Sequence, residues 1–250
     1  GTGSGQYTVI STATPLRLTT QQLVIRPTVA YTPTVGDTFD VITAPSVSGD
    51  FAAVYGRLLG NGLAMKVQVL PTTVRLTVLR AYAVTTEADE VDGTIGDDQC
   101  LSTPSGACSL RSAVQEANAT TGEQLVVVPA GADITLTRVG FDENASATGD
   151  LDVTEAISII GPGATVDAAG IDRALHVHPS AAGANVSGLS IQNGNTNPTA
   201  FPGAGCVYNE GGSATFTDLR IAGCQGYFGG AVGSVGGSST FVRGSIHNNA

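Results

Sequence analysis

The sequence has 250 residues, 42% of them hydrophobic, which is enough for one or two domains with a sizeable core. Its net charge of −10 comes from 21 acidic and 11 basic residues, and this balance argues against binding to nucleic acid or to anionic membranes. No apolar run reaches the roughly 18 residues of a membrane helix, so no membrane insertion is expected.

The first 80 residues contain short segments in which apolar and polar residues alternate, as in half-buried strands. These segments lie at 22–26, 38–43, 64–70 and 73–79. The pattern Tyr-x-Pro-x-x-Gly-Asp-x-Phe-x-Val at 31–41 resembles the closing segment of bacterial surface β-solenoids, such as those of large adhesins and autotransporter passengers. The resemblance implies that residues 1–80 are a β-rich segment that closes a preceding solenoid.

An acidic, glycine-containing stretch follows between residues 87 and 98. Its carboxylates and carbonyl groups offer the hard oxygen ligands that calcium prefers, although the spacing is not that of an EF-hand loop. The candidate ligands for a structural calcium ion are Asp89, Asp92, Asp97 and Asp98. The alternative is a solvated acidic loop, which is common on secreted proteins. No other cofactor is expected.

Residues 109–118 predict one short amphipathic helix, because their apolar residues recur at helical spacing. Ser109 is suited to be its N-cap, and Gly122 to end it. The apolar stripe consists of Leu110, Ala113, Val114 and Ala117. A helix of this length is not stable alone in water, so we expect it to cover the exposed edge of a sheet as a cap.

Four cysteines form two locally spaced pairs, and an even count at short separations favours disulfides and an oxidising compartment. The loop between Cys100 and Cys108 contains Pro104 and Gly106, so this pair is expected to close. Pairing of Cys206 with Cys224 stays open, because four cysteines allow three connectivities and the Cys206 side chain is expected to point outward. The spacing does not match a zinc site.

The cysteine-containing stretch also carries a second resemblance. The run Cys-Ser-Leu-Arg-Ser-Ala at 108–113, preceded by Gly-Asp-x-x-Cys at 96–100, resembles the CSLREA module that opens many secreted bacterial right-handed parallel β-helix proteins. Ser112 replaces the Glu of that motif at a position expected on the surface. The likeness continues to the end of the chain and implies a cap over 81–130 and β-helix repeats over 131–250.

Three stretches near the C-terminus align without a gap, namely 174–193, 204–223 and 229–248. Their apolar residues alternate, and a repeat this short must stack on its neighbours to bury a core. The alignment stacks Val177 on Val207 and Val232, Val186 on Phe216 and Phe241, and Ile191 on Ile221 and Ile246. The predicted fold class is therefore all-β: a right-handed parallel β-helix with one short capping helix, preceded by a β-rich segment.

Two histidines lie on one predicted strand of this repeat. His176 and His178 are two residues apart and therefore share a face, so in principle they offer two metal ligands. Because Val177 between them is expected to point inward, we predict instead that both imidazoles face solvent.

An enzymatic function must be weighed, since parallel β-helices include polysaccharide lyases and glycoside hydrolases. The tripeptide at 96–98 resembles a short piece of the polygalacturonase pattern, but it lies in the cap, and no Gly-His-Gly or Arg-x-Lys motif accompanies it. No catalytic residue is predicted. Carboxyl groups converging within about 10 Å in a groove would favour the enzyme.

The sequence thus predicts a structural or adhesive, non-enzymatic region of a large secreted or cell-surface bacterial protein. The chain is expected to be a monomeric internal fragment, located outside the cell, that displays a polar surface. The expected partners are glycans or components of a host or cell surface. The competing function is a carbohydrate-active enzyme with a pectate-lyase-type fold.

Overall fold

The computed structural model describes residues 7–141, 143–196 and 203–250. The chain divides into two compact units, Gly1–Ala81 and Tyr82–Ala250. Among the described residues, the regular structure consists of β-strands and a single α-helix, as predicted for an all-β chain.

Strands β1 to β9 begin in the first unit. Their bounds are β1 Ile10–Ser11, β2 Leu16–Leu18, β3 Gln22–Val24, β4 Thr38–Thr43, β5 Val47–Gly49, β6 Ala53–Tyr55, β7 Leu58–Gly60, β8 Leu63–Val69 and β9 Thr73–Ala83. Strands β3, β4, β8 and β9 coincide with the four segments of alternating residues. Strand β9 pairs antiparallel with both β4 and β8, and β8 pairs antiparallel with β7.

Three further pairs in this unit are parallel, because β1, β2 and β3 lie beside β4, β5 and β6 respectively. The second pair requires a glycine where β5 ends. Gly49 has a φ of +82°, and a Cβ there would lie 1.9 Å from the Leu18 carbonyl oxygen. Only glycine permits this approach of the two backbones.

The apolar side chains of the first unit form two small clusters. In one, the Phe39 ring makes edge-to-face contacts with Tyr7 at 5.1 Å and with Tyr31 at 5.5 Å between ring centroids. The other is built from Leu18, Ile42, Val47 and Val74. This unit therefore has two separate local cores among its described residues.

The second unit starts with a helical cap. Helix α1 spans Leu110–Ala119, and the hydroxyl oxygen of its N-cap Ser109 accepts a hydrogen bond of 3.0 Å from the Ser112 N–H. Two short antiparallel strands, β10 Val91–Asp92 and β11 Ser102–Thr103, accompany it. The helix packs against β10 and against the first strands of two of the parallel sheets described next.

Helix α1 is buried on its polar side as well as on its apolar stripe. Arg111, Ser112 and Glu116 are each at most 1% exposed. The prediction that Ser112 lies on the surface is therefore wrong. Its hydroxyl donates a hydrogen bond of 2.6 Å to Asp92, since the acidic loop before the helix folds back over the helix.

The remaining strands form three parallel sheets, which the chain visits in rotation. Sheet 1 contains β12 Gln124–Val127, β15 Ile157–Ile160, β18 Ala182–Ser187, β21 Ser213–Thr217 and β24 Ser238–Val242. Sheet 2 contains β13 Asp133–Thr135, β16 Thr165–Asp167, β19 Ser190–Gln192, β22 Arg220–Ala222 and β25 Ser245–His247. Sheet 3 contains β14 Leu151–Val153, β17 Leu175–Val177, β20 Val207–Asn209 and β23 Val232–Ser234. Each neighbouring pair is parallel.

The register confirms two of the three predicted ladders. In sheet 1, Val186 pairs with Phe216, which pairs with Phe241. In sheet 2, Ile191, Ile221 and Ile246 follow one another. The two phenylalanine rings stack at 4.8 Å between centroids.

The third ladder is only partly as predicted. Val207 pairs with Val232, but its partner on the other side is Leu175, and Val177 pairs with Asn209 instead. Compared with the next circuit, the turn between β17 and β18 is one residue longer, and a β-bulge at Gly183 adds a second residue. A slip of two residues keeps the same side chains inward, because strand periodicity is two, so Val177 is still fully buried.

Burial along the ladders depends on stacking. Phe216, between two neighbouring strands, is 1% exposed, whereas Phe241 on β24 has a neighbour on one side and is 42% exposed. The same contrast separates Ile221 from Ile246. The apolar cluster of this unit is continuous from Tyr82 to Ala231.

Candidate functional site

Sheet 3 carries charged side chains on the side opposite its apolar ladder. Leu175 and Val177 belong to the apolar core, so His176 between them points the other way. The register places His176 between Asp152 of β14 and Tyr208 of β20. The sheet 3 cluster is defined here as Asp150, Asp152, Arg173, His176, His178 and Glu210.

The predicted solvent exposure of the two histidines is wrong. Val177 points inward as expected, but His176 and His178 are only 4% and 7% exposed. Their rings lie 3.8 Å apart between centroids, and the Tyr208 ring lies 5.2 Å from that of His176. The outer face of the strand is therefore covered by side chains from neighbouring strands.

Asp152 lies at the centre of the cluster and is fully buried. Its Oδ1 is 2.8 Å from His178 Nε2 and 3.4 Å from His176 Nδ1, and its Oδ2 accepts a hydrogen bond of 2.9 Å from the Ser146 N–H. His176 Nε2 is 3.3 Å from an Oε2 of Glu210. Neither ring nitrogen of His176 meets hydrogen-bond geometry with any described residue.

Burial lowers the pKa of His176, so its imidazole is neutral at neutral pH. For Asp152, burial acts to raise the pKa, but the neighbouring imidazoles and the Ser146 N–H outweigh it, and the pKa lies below its ordinary value. The arrangement therefore places a carboxylate against a buried imidazole whose single available nitrogen lone pair has no hydrogen-bond partner among the described residues.

A buried ion pair adjoins these groups. Arg173 Nε donates to Asp150 Oδ2, and both side chains are at most 4% exposed. Burial raises the pKa of Asp150, the carboxylates of Asp152 and Asp172 add to this effect, and Arg173 opposes it. The guanidinium also lies 5.6 Å from the centroid of the Tyr208 ring.

Arg111 of helix α1 holds the loop that precedes β14. Its guanidinium donates to the carbonyl oxygens of Ser146 at 3.1 Å, Gly149 at 2.8 Å and Asp150 at 3.0 Å. Its Nε donates at 2.6 Å to Asp89, which is 1% exposed. Through Ser146 and Asp150, the helical cap is thus connected to the sheet 3 cluster.

The four residues predicted to bind calcium occupy different environments. Asp89 pairs with Arg111, and Asp92 accepts hydrogen bonds from Ser112 and two backbone amides. Asp97 and Asp98 are exposed. Among the residues that the structure describes, the group of three side chains that could share one metal ion does not include any of these four aspartates. Calcium binding at the acidic loop therefore stays a prediction.

Glu116 of α1 organises the acidic loop from inside. Its carboxylate accepts backbone hydrogen bonds of 2.6 Å from Gly96 and 3.2 Å from Asp98. Burial raises its pKa. The loop is therefore anchored by a side chain that sequence reasoning did not single out.

Both cysteine pairs form disulfides. Cys100 bonds to Cys108 in the cap, and Cys206 bonds to Cys224. The second bridge is fully buried in the apolar core, which corrects the expectation that Cys206 points outward. Two disulfides indicate a non-cytoplasmic environment.

A polar cavity of about 400 Å³ lies where sheet 2 turns toward sheet 3. It is lined by Thr135, Asp167, Ala169, Gly170, Asn193, Gly194, Asn195, Gly223 and Gln225. Asp167 Oδ2 accepts hydrogen bonds from Gln192 at 2.9 Å and from Asn193 at 2.8 Å. Exposed amide groups beside a carboxylate can bind hydroxyl-rich ligands.

No protein-family model, curated protein or solved structure matches this chain. Within the described residues, no helix is both long and apolar enough to span a bilayer.

Sequence reasoning missed Asp150, Asp152 and Glu210 as members of a site with the histidines. The available signal was the pair of alternating triplets Asp150-Leu151-Asp152 and His176-Val177-His178, each with an apolar residue between two polar ones. Alternation of this kind places four polar groups on one side of two strands that become neighbours. Only the pairing of β14 with β17 in the structure shows that the two strands are neighbours.

Proposed function

We propose that this chain is a structural and adhesive region of a larger secreted or cell-surface bacterial protein. In this proposal the second unit is a right-handed parallel β-helix that presents polar side chains to glycans. The main support for the proposal is that the chain passes through the three parallel sheets in turn, so that each circuit of strands stacks on the one before.

The β-helix interpretation is supported by the register. Equivalent residues of successive circuits pair in sheets 1 and 2, as Val186 does with Phe216 and Ile191 with Ile221, and sheet 3 stacks in parallel with a slip of two residues between β17 and β20. A crossover between parallel strands of one sheet is right-handed in almost all known cases, and this rule supplies the handedness. Stacked ladders with a continuous core are typical of rigid solenoids.

The first unit supports a modular arrangement of the larger protein. Its three parallel pairs correspond to one circuit of strands stacked on another, and antiparallel hairpins follow. This is the order expected where a solenoid closes. The likeness of residues 96–118 to the CSLREA module, with helix α1 as its cap, supports the start of a second solenoid.

The polar cavity beside sheet 2 is the proposed place of glycan contact. Asn193, Asn195 and Gln225 are exposed there. Side-chain amides donate and accept hydrogen bonds in a planar arrangement, which suits vicinal hydroxyl groups. The site offers no aromatic platform among its lining residues, so we expect weak binding that becomes useful through multivalent display.

The competing function, a carbohydrate-active enzyme, needs carboxyl groups that reach a glycosidic bond. Asp150 and Asp152 do converge on sheet 3, but they are 2% and 0% exposed. A sugar ring cannot reach either carboxylate without displacement of the covering side chains. This burial favours the scaffold over the enzyme.

Glycan-array binding by the whole chain tests the proposal. Asn195→Ala with Gln225→Ala removes two donors from the cavity, and we expect binding to weaken roughly 2- to 10-fold for each hydrogen bond lost. Asn185→Ala on sheet 1 is the matched control and should bind normally. In parallel, incubation with acidic and neutral polysaccharides should release no reducing ends and no unsaturated products.

Two results would contradict this function. Chain cleavage of any polysaccharide would establish the enzyme instead. An array without any bound glycan would remove the adhesive part and leave only a mechanical spacer.

A further inference from the structure

We propose that Asp152, His176 and His178 bind a divalent first-row transition-metal ion, with zinc as the first candidate. The ion would connect β14, which carries Asp152, to β17, which carries both histidines. The three residues each offer one ligand atom, and these atoms lie within 4.8 Å of one another.

The two separations between Asp152 and the histidine nitrogens are close to those of a common ion. Metal–ligand distances of about 2.0–2.1 Å in a tetrahedral site place neighbouring ligand atoms about 3.3 Å apart. His176 Nδ1 lies 3.4 Å from Asp152 Oδ1. His178 Nε2 lies 2.8 Å from the same oxygen in a hydrogen bond, which must open by about 0.5 Å to admit an ion.

His176 supplies an independent observation. Its imidazole is buried, and both ring nitrogens lack a hydrogen bond within the described part of the chain. Buried polar groups in native proteins almost always have a partner, so an unsatisfied buried imidazole indicates a missing one. A metal at Nδ1 would provide it.

The surrounding groups resemble the outer shell of known metal sites in their chemistry. With Nδ1 on the ion, His176 Nε2 would carry a proton, and the carboxylate of Glu210, 3.3 Å away, would accept it after a small reorientation of the side chain. Asp152 Oδ2 is held by the Ser146 N–H at 2.9 Å, which leaves Oδ1 for the ion. Carboxylates and amides in these positions orient ligands and raise their affinity.

The charge balance also favours a cation. Arg173 is engaged with Asp150 and Arg111 with Asp89, and the carboxyl groups of Asp152, Asp172 and Glu210 lie around the site. Two imidazoles and one carboxylate select zinc and its neighbours in the first row over calcium, which prefers oxygen ligands.

Isothermal titration of the whole chain with Zn²⁺ after chelator treatment tests the proposal. We expect one ion per chain, a rise in the melting temperature on binding, and X-ray absorption of the bound ion that shows two imidazoles among nitrogen and oxygen ligands. Co²⁺ should compete for the same site, whereas Ca²⁺ should not.

Three variants separate the site from adventitious binding. Asp152→Asn and His178→Gln each remove a ligand atom and should abolish the stoichiometric binding. Glu210→Gln should weaken it roughly 10- to 100-fold, because this carboxylate orients His176 without touching the ion. His247→Gln, which alters an imidazole on sheet 2, is the matched control and should bind Zn²⁺ with unchanged affinity.

Far-ultraviolet circular dichroism must show that each variant is folded. If a ligand variant does not fold, the X-ray absorption spectrum of the unaltered chain decides. The proposal is overturned if the folded chain binds no transition-metal ion, if the spectrum lacks imidazole ligands, or if folded Asp152→Asn and His178→Gln bind Zn²⁺ as the unaltered chain does.

Discussion

The two units bury their apolar residues in different ways. The first has three antiparallel and three parallel strand pairs among its described residues, and its two apolar clusters are small, one around Phe39 and one around Val74. The second stacks parallel strands and has one continuous cluster. Local hairpins need only short loops, whereas parallel stacking makes each circuit depend on its neighbours.

Charged residues follow the same division. In the first unit, Arg75 and Asp40 form a bidentate pair that is about 40% exposed. In the second, Arg111 with Asp89 and Arg173 with Asp150 are almost completely buried. Both buried pairs lie in the second unit, which also has an exposed pair formed by Arg243 and Asp218.

The largest expected effect concerns the stacked core. Phe216→Ala removes a ring that lies between Val186 and Phe241, and we expect it to lower the free energy of unfolding by about 3–5 kcal/mol. Phe241→Ala, the same change one circuit later, should cost roughly 1–2 kcal/mol because that ring is already partly exposed. Denaturant unfolding measures both. Equal losses would show that stacking on both sides does not determine the contribution of a ladder residue.

The next effect concerns buried charge. Arg111→Gln leaves Asp89 buried without its cation and three loop carbonyls without their donor, and we expect a loss of about 3–5 kcal/mol. Arg75→Gln in the first unit is the matched control, and its melting temperature should barely change.

The double variant Asp89→Asn with Arg111→Gln should recover part of the stability that Arg111→Gln loses, because no unpaired buried charge remains. Similar losses for Arg75→Gln and Arg111→Gln would contradict the contrast between the units.

The two disulfides give an intermediate effect that is confined to the second unit. The bridge from Cys206 to Cys224 closes a loop of 18 residues, and that from Cys100 to Cys108 closes one of 8. Chain entropy predicts losses of about 3.2 and 2.5 kcal/mol when each pair is changed to serine. Calorimetry of the two double variants should show a lower melting temperature for each, with the larger decrease for the Cys206 and Cys224 variant.

The smallest effect concerns acid in the first unit. The hydrogen bond from Arg75 lowers the pKa of Asp40 below its ordinary value. The pair therefore stabilises the folded state at pH values above the unfolded-state pKa of Asp40, and this contribution is lost as the pH falls through the folded-state value. Because the pair is exposed, the shift in melting temperature should be small, and Asp40→Asn should remove that part of the acid dependence. A large shift in melting temperature would show that this exposed pair contributes as much to stability as the buried pairs of the second unit.

Much of the local structure follows from short-range patterns. The apolar spacing after Ser109 predicts helix α1, whose bounds are Leu110–Ala119. Alternation predicts strands β3, β4, β8 and β9, and the repeat predicts the Phe216 and Ile221 ladders. Such patterns are visible because the periodicity of a helix or strand is written into consecutive residues.

The sequence by itself determined strands β3, β4, β8 and β9, the inward side chains of the Phe216 and Ile221 ladders, and that the chain is all-β. Only the tertiary structure decided the two-residue slip that pairs Val177 with Asn209, the burial of Ser112, and the meeting of Asp152 with His176 and His178. The physical reason is that alternation determines which face of a strand a side chain occupies. The pairing register of the strand and the burial of its outer side chains depend on turns, bulges and loops from distant parts of the chain.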